Sequence, residues 1–284
     1  VPDYPSYLRD FRAAVCACGL GIETLGTIFG HEVVFASTGL RPGKPGVLVF
    51  SGFHGEESAG PLGLLRCLRM PSTQPLLNHL SFGVVPVTNP DGFNRDRRYN
   101  RRRQEDNWAF RFGPDGKPSY EGRVLLVNMR KLEPYASACF LDMHEDSGAE
   151  GYYLYTFSKS GQIEPWHREV MAIGARQFGV QPDGPLPGAD DPPGPDDPTD
   201  SRPDTEAGIQ GGYIPFDHDG SFDDWFDFRG ALQAAVSETP GNAALEDRVV
   251  CNAAILQTTL ARMASLSVKV ACRFRQSARR GGRP

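Results

Sequence analysis

The chain has 284 residues, 39% of them hydrophobic, enough to bury a sizeable core in one α/β domain or one domain with insertions. Its formal net charge of -5 argues against a nucleic-acid binder, although arginine is locally clustered. The six cysteines form no Cys-x-x-Cys pair and most sit in apolar segments, which fits buried free thiols in a reducing compartment. The N-terminus shows no basic region followed by an apolar core, and no apolar run approaches membrane-spanning length; a soluble cytoplasmic protein with no membrane partner is expected.

Apolar positions at helical spacing predict a helix over residues 7–20, which Gly19 and Gly21 can end. Residues 32–37 read as a strand, and Leu40-Arg-Pro-Gly-Lys-Pro-Gly46 as a turn into the apolar run Val47-Leu-Val-Phe50. Four apolar residues in succession suit a strand buried on both faces of a parallel sheet, and such sheets place ligand sites beyond the strands' carboxyl ends. At this end stand His54 and Glu57, in Phe53-His-Gly-Glu-Glu57. An imidazole nitrogen with a carboxylate oxygen suits zinc, whose catalytic sites take three protein ligands and a water. The pair is equally what the first turn of a helix looks like, since acidic residues favour that position.

Residues 59–70 read as a helix with Pro61 in its first turn and Pro71 at its end, and residues 80–87 as a strand stopped by the turn Asn89-Pro-Asp-Gly92. Strand, helix and strand make a βαβ unit. Arg95, Arg97, Arg98, Arg101, Arg102 and Arg103 then fall within nine positions, either as a solvated basic loop or as a grip on an anionic substrate. Ala138-Cys-Phe-Leu-Asp142-Met-His144 repeats the opening logic, an apolar strand ending in a histidine. Asp142 and His144 face one side of that strand, so Asp142 can act as an outer acceptor fixing an imidazole tautomer, for His54 rather than for His144 itself.

Residues 151–157 read as a strand and 163–178 as a helix. Residues 181–212 turn abruptly to proline, glycine and aspartate, an ordered long loop or a mobile insertion. Residues 222–228 suit a short aromatic helix, and the strand 232–237 ends at Glu238-Thr-Pro-Gly241. Asn242 is placed to cap a last helix running to about residue 266. The expected division is one catalytic domain, 1–268, and a flexible basic tail, 269–284.

In this reading the strand ends supply His54, Glu57 and His144 as three ligands, with Glu238 outside them as general base, the set that metal-assisted hydrolysis requires. A zinc-bound water ionises near neutrality instead of near ~15.7, and a fixed arginine can stabilise the oxyanion that forms on attack.

In this order the four landmarks His54-Gly-Glu-Glu57, Asn89-Pro-Asp-Gly92, Leu141-Asp-Met-His144 and Glu238-Thr-Pro resemble the zinc metallocarboxypeptidases of the carboxypeptidase A type, over residues 45–265. Phe53-His-Gly-Glu-Glu57 and the short ligand spacing are similar to the compact bacterial branch, near the murein-peptide amidases and the succinylglutamate desuccinylase and aspartoacylase group. The resemblance implies a three-layer α/β/α fold with a mixed, largely parallel sheet, one zinc ion, and hydrolysis of a terminal amide bond. It implies Arg98 as the arginine that steadies the oxyanion, Asn107 as the asparagine that meets the substrate carboxylate, and Tyr213 as a tyrosine covering the scissile bond. Trp108 stands where the family has arginine, so Arg101, Arg102 or Arg103 is the expected substitute in gripping that carboxylate. The substrate expected is a small peptide or an acylated amino acid with a free carboxylate. Deacylation of an N-acyl amino acid is the alternative reaction, and a non-catalytic zinc-bound recognition domain the alternative of another class.

Overall fold

The computed structural model describes residues 2–104, 117–187, 208–215, 222, 225, 226 and 229–280, the last fourteen of these by backbone alone. Eight strands form one mixed sheet: β1 (Gly21–Ile28), β2 (His31–Ser37), β3 (Gly46–Ser51), β4 (Ser81–Val85), β5 (Cys139–Asp146), β6 (Tyr153–Ser158), β7 (Tyr213–Pro215) and β8 (Gln233–Pro240). Their order is β1-β2-β4-β3-β5-β8-β6-β7. The central run β4-β3-β5-β8 is parallel throughout, and β2 and β6 join it antiparallel on either side.

The pleat sorts the apolar strands into two cores. Val47 and Val49 of β3, with Cys139, Leu141 and Met143 of β5, face a core built with α1 (Tyr4–Ala17), α2 (Ala59–Arg69), α6 (Pro165–Phe178) and α7 (Leu245–Arg280). Leu48, Phe50 and Phe140 face the other, with α5 (Tyr120–Leu132), Phe222 and Phe226. This is the three-layer α/β/α architecture. The carboxyl ends of β3, β5 and β8 share one rim, and the neighbours His144 and Glu238 are in direct register there.

Most predicted elements form within a few residues of their expected bounds. α1 starts earlier than predicted, at Tyr4, where Asp3 accepts the Ser6 N–H, and ends at Ala17, with Gly19 just beyond it at a φ of 70°. β1 was not foreseen, because Gly21 and Gly26 break its alternation and the register slips between Thr24 and Gly26. The helices α3 (Thr73–Leu77) and α5 were also missed.

Asn89-Pro-Asp-Gly92 is not the predicted turn but the start of α4 (Pro90–Arg95): Asn89 accepts the Gly92 N–H at 2.7 Å, and Pro90 stands at the first helical position. α7 begins at Leu245, and Asn242 donates to the Ser147 carbonyl instead of capping it. Contrary to the sequence reading, the stretch Leu245–Leu266 is long and apolar enough to cross a membrane by length and composition. In the fold Ile255, Leu256, Leu260 and Met263 are wholly buried in the first core. The helix continues to Arg280, through most of the predicted tail. Cys67, Cys139 and Cys251 are buried free thiols as expected, whereas Cys16 is exposed and Cys18 half-buried. Of the segment 181–212, residues 188–207 lie outside the described residues, and its two ends are paired through Gly184 and Ile209.

Candidate metal centre

After β3 the chain turns through Gly52, at φ 65°, a left-handed conformation that favours glycine. Three residues later Gly55 has no room for a side chain: a Cβ there would lie 2.0 Å from the Gly92 carbonyl carbon and 2.4 Å from the Arg97 oxygen. The corner is therefore pressed against the start of α4. Gly55 donates its N–H to the Arg98 carbonyl at 3.2 Å, and Asn89 Nδ2 donates to the same oxygen at 3.1 Å. This contact carries Arg98 to the corner, where its Nη1 lies 3.5 Å from Glu57 and 3.6 Å from Glu56.

His54 and Glu57, one turn apart, meet through Nδ1 and Oε1. The other Glu57 oxygen lies 2.9 Å from Nδ1 of His144, which β5 delivers from the neighbouring strand. The two imidazole rings are edge to face at 5.0 Å, and Phe53 stacks on His144. All three residues are buried. Burial alone would raise the Glu57 carboxyl, but the two imidazoles outweigh it and hold it well below the carboxylate range. Burial opposes charge on His144, but Asp142 and Glu57 outweigh it and raise the imidazole well above its ordinary value.

Among the described residues one group of three has the makings of a metal site: ligand atoms of His54, Glu57 and His144 lie within 4.8 Å of one another. Two neutral imidazole nitrogens and one carboxylate are a zinc donor set, and three such ligands leave a position open. The surroundings fit as well: Nδ1 of His144 turns to the cluster while its Nε2, buried and without a hydrogen bond, faces Asp142 at 3.3 Å, where an outer acceptor of a ligating imidazole would stand. This corrects the expectation that Asp142 serves His54. Asp142 is wholly buried and its Oδ1 accepts the Met143 N–H, so its orientation is fixed in turn.

Glu238 stands opposite His144 in the β5–β8 register and is buried. Burial pushes its carboxyl well above the usual range, with Glu57 and Asp146 adding to the rise, although His144 and Arg98 oppose it.

Arg101 binds the buried Asp91 through its backbone N–H at 2.7 Å and its Nε at 2.8 Å, and lies over Phe29, so this guanidinium anchors α4. Arg102 and Arg103 are exposed. Tyr213 lies in the edge strand β7 and packs against the first core. Asn107 and Trp108 lie outside the described residues. Sequence reasoning missed Glu56 beside Arg98, and Glu145, whose amide donates to Glu57 Oε2 at 3.2 Å. Glu145 left no local signal, because its side-chain partners are 86 and 103 residues away.

Residues 30–122, which carry His54, Glu57 and Arg98, match the zinc carboxypeptidase family model. No curated protein matches the chain. Among solved structures it is similar to a candidate metallopeptidase of Shewanella amazonensis, with 28% identity over 90% of this chain and 92% of that one, at a TM-score of 0.78. A candidate metallopeptidase of Shewanella denitrificans shares 27% identity over 92% and 91% of the two chains, at 0.80. Carboxypeptidase A of Helicoverpa armigera shares the fold, at 14% identity over 95% and 75% of the chains and a TM-score of 0.59. The ligand triad at the rim of this sheet, the family match over residues 30–122 and the similarity to metallopeptidase structures across nine-tenths of the chain agree: the chain is a zinc hydrolase, similar to the zinc carboxypeptidases.

Proposed function

We propose that the chain hydrolyses a terminal amide bond of a small peptide bearing a free carboxylate, at one zinc ion held by His54, Glu57 and His144. The observation that carries this reading is the register of His144 with Glu238, which sets a buried carboxylate directly beside the ligand cluster. When bound, zinc supplies a Lewis acid for the carbonyl oxygen and makes water a nucleophile at neutral pH. Glu238 takes the proton from the attacking water and returns it to the leaving nitrogen. Its place opposite His144 puts the carboxylate within reach of a water held at the cluster, which is what a general base requires first.

Arg98, fixed by its backbone to Gly55 and Asn89, donates toward the oxygen on which negative charge develops. Asp142 holds the imidazole of His144 in orientation throughout. With Arg101 committed to Asp91, the substrate carboxylate is left to Arg102 or Arg103.

A panel of short peptides and N-succinyl amino acids, assayed with and without chelator, tests the proposal. Chelator-sensitive cleavage of peptides is expected. Faster release of succinate would transfer the chain to the deacylases, and a zinc-loaded chain inert on every substrate would leave a recognition domain.

A further inference from the structure

We propose that Glu145, paired with Arg248, is a positioning residue that holds Glu57 and the start of α2 in register with His144, and so sets the affinity of the centre for its metal. The inference rests on the zinc reading of that centre. Glu145 follows His144 on β5, and strand alternation turns its side chain to the opposite face. There Oε1 accepts the Ala59 N–H at 2.6 Å and Oε2 accepts from Arg248 Nη1.

Ala59 opens α2, the helix that follows Glu57 after one residue. The Ser58 side chain does not cap it, and no acidic residue lies in its first turn. The carboxylate that a helix N-terminus favours is supplied instead from another strand. The backbone of the same Glu145 donates to Glu57 Oε2 at 3.2 Å, the oxygen that faces His144 Nδ1. One residue thus touches the carboxylate ligand through its amide and the helix behind that ligand through its side chain.

Arg248 fastens the pair to the base of α7, where its Nε donates to the Ala243 carbonyl at 2.9 Å. The side chains of Glu145 and Arg248 are 3% and 14% exposed. Removing one partner of such a pair leaves the other charge buried and uncompensated, so the two act as a unit. Three segments far apart in sequence, β5, α2 and α7, are joined at the point where the first ligand pair meets the third ligand.

The test is zinc affinity of the full chain by chelator competition, with melting temperature measured alongside. Glu145→Gln keeps the shape but loses the charge, and is expected to weaken zinc binding by about 10- to 100-fold, as loss of an outer partner of a ligand does. Arg248→Met is expected to weaken it by a smaller factor, and Arg248→Lys to restore most of the loss. Unchanged zinc affinity in both variants, with only the melting temperature lowered, would overturn the inference and leave the zinc centre intact. Should Glu145→Gln not fold, Arg248→Met, which keeps the Ala59 bond, carries the same two outcomes. A wild-type chain that takes up no zinc would overturn the reading of the centre and this inference with it.

Discussion

The ligand corner and the arginine segment touch each other through Gly55 and Arg98, yet they are built in opposite ways. His54, Glu57 and His144 are buried, mutually paired and fixed by strand ends. Residues 95–103 hold six arginines on a largely exposed stretch, and their side chains are spent on different tasks. Arg98 reaches Glu57, while Arg101 closes on Asp91. A metal centre needs desolvated donors at fixed distances, which only rigid elements supply. A basic segment meets no such demand, so identical residues three apart can serve chemistry and architecture separately.

If the corner is the reactive half of this pair of regions, removing its metal has the largest effect. Dialysis against a chelator is expected to abolish amide hydrolysis, and added zinc to restore it; activity that survives complete metal removal would break the contrast outright. Next in size, Glu238→Gln is expected to lower kcat by about 100- to 10,000-fold, the range a positioned acid–base group contributes, with zinc content unchanged. A glutamine variant of full activity would move the proton transfer to another group.

The difference between the regions also decides what the sequence could reveal. His54 and Glu57 were legible because three-residue spacing after a buried strand is local information, and His144 and Glu238 because they end strands in the same manner. Register then did the rest, since parallel neighbours bring such ends together. The partner of Asp142 was misread. Alternation put it on the face of His144, and two residues on one strand face are neighbours, so its carboxylate lies 3.3 Å from His144 Nε2.

Asn89-Pro-Asp-Gly92 was misread as a turn because the same residue types cap helices, and only tertiary contact with Gly55 distinguishes the two. Glu145, Arg248 and the Asp91–Arg101 anchor were invisible for a simpler reason: their roles lie in pairings across the chain or between unlike elements, and no spacing rule describes them.

Arg98 tests where the two regions join. Arg98→Ala is expected to reduce kcat by about 100-fold, as loss of one oxyanion donor does, with zinc binding retained. A rise in KM at constant kcat would instead place this arginine with the substrate-binding charges.

Arg101→Ala carries the smallest expected effect and separates architecture from binding. Burial alone would raise the Asp91 carboxyl, but hydrogen bonds from Arg101 and its charge outweigh burial and hold the acid below its ordinary value. A carboxyl lowered in the folded state contributes stability that is fully present above its unfolded pKa of about 3.9 and is lost as pH falls through the folded value. The variant lacks most of that contribution, so its melting temperature is expected to fall a few degrees below wild type at neutral pH, with the gap closing in acid. Its KM should stay near wild type, because the guanidinium faces Asp91 and Phe29. The reverse pattern, a raised KM with no change in melting temperature at any pH, would return Arg101 to the substrate. The contrast between a buried reactive corner and a divided arginine segment would then have to be drawn elsewhere, since the residue that defines the structural half would be part of the site.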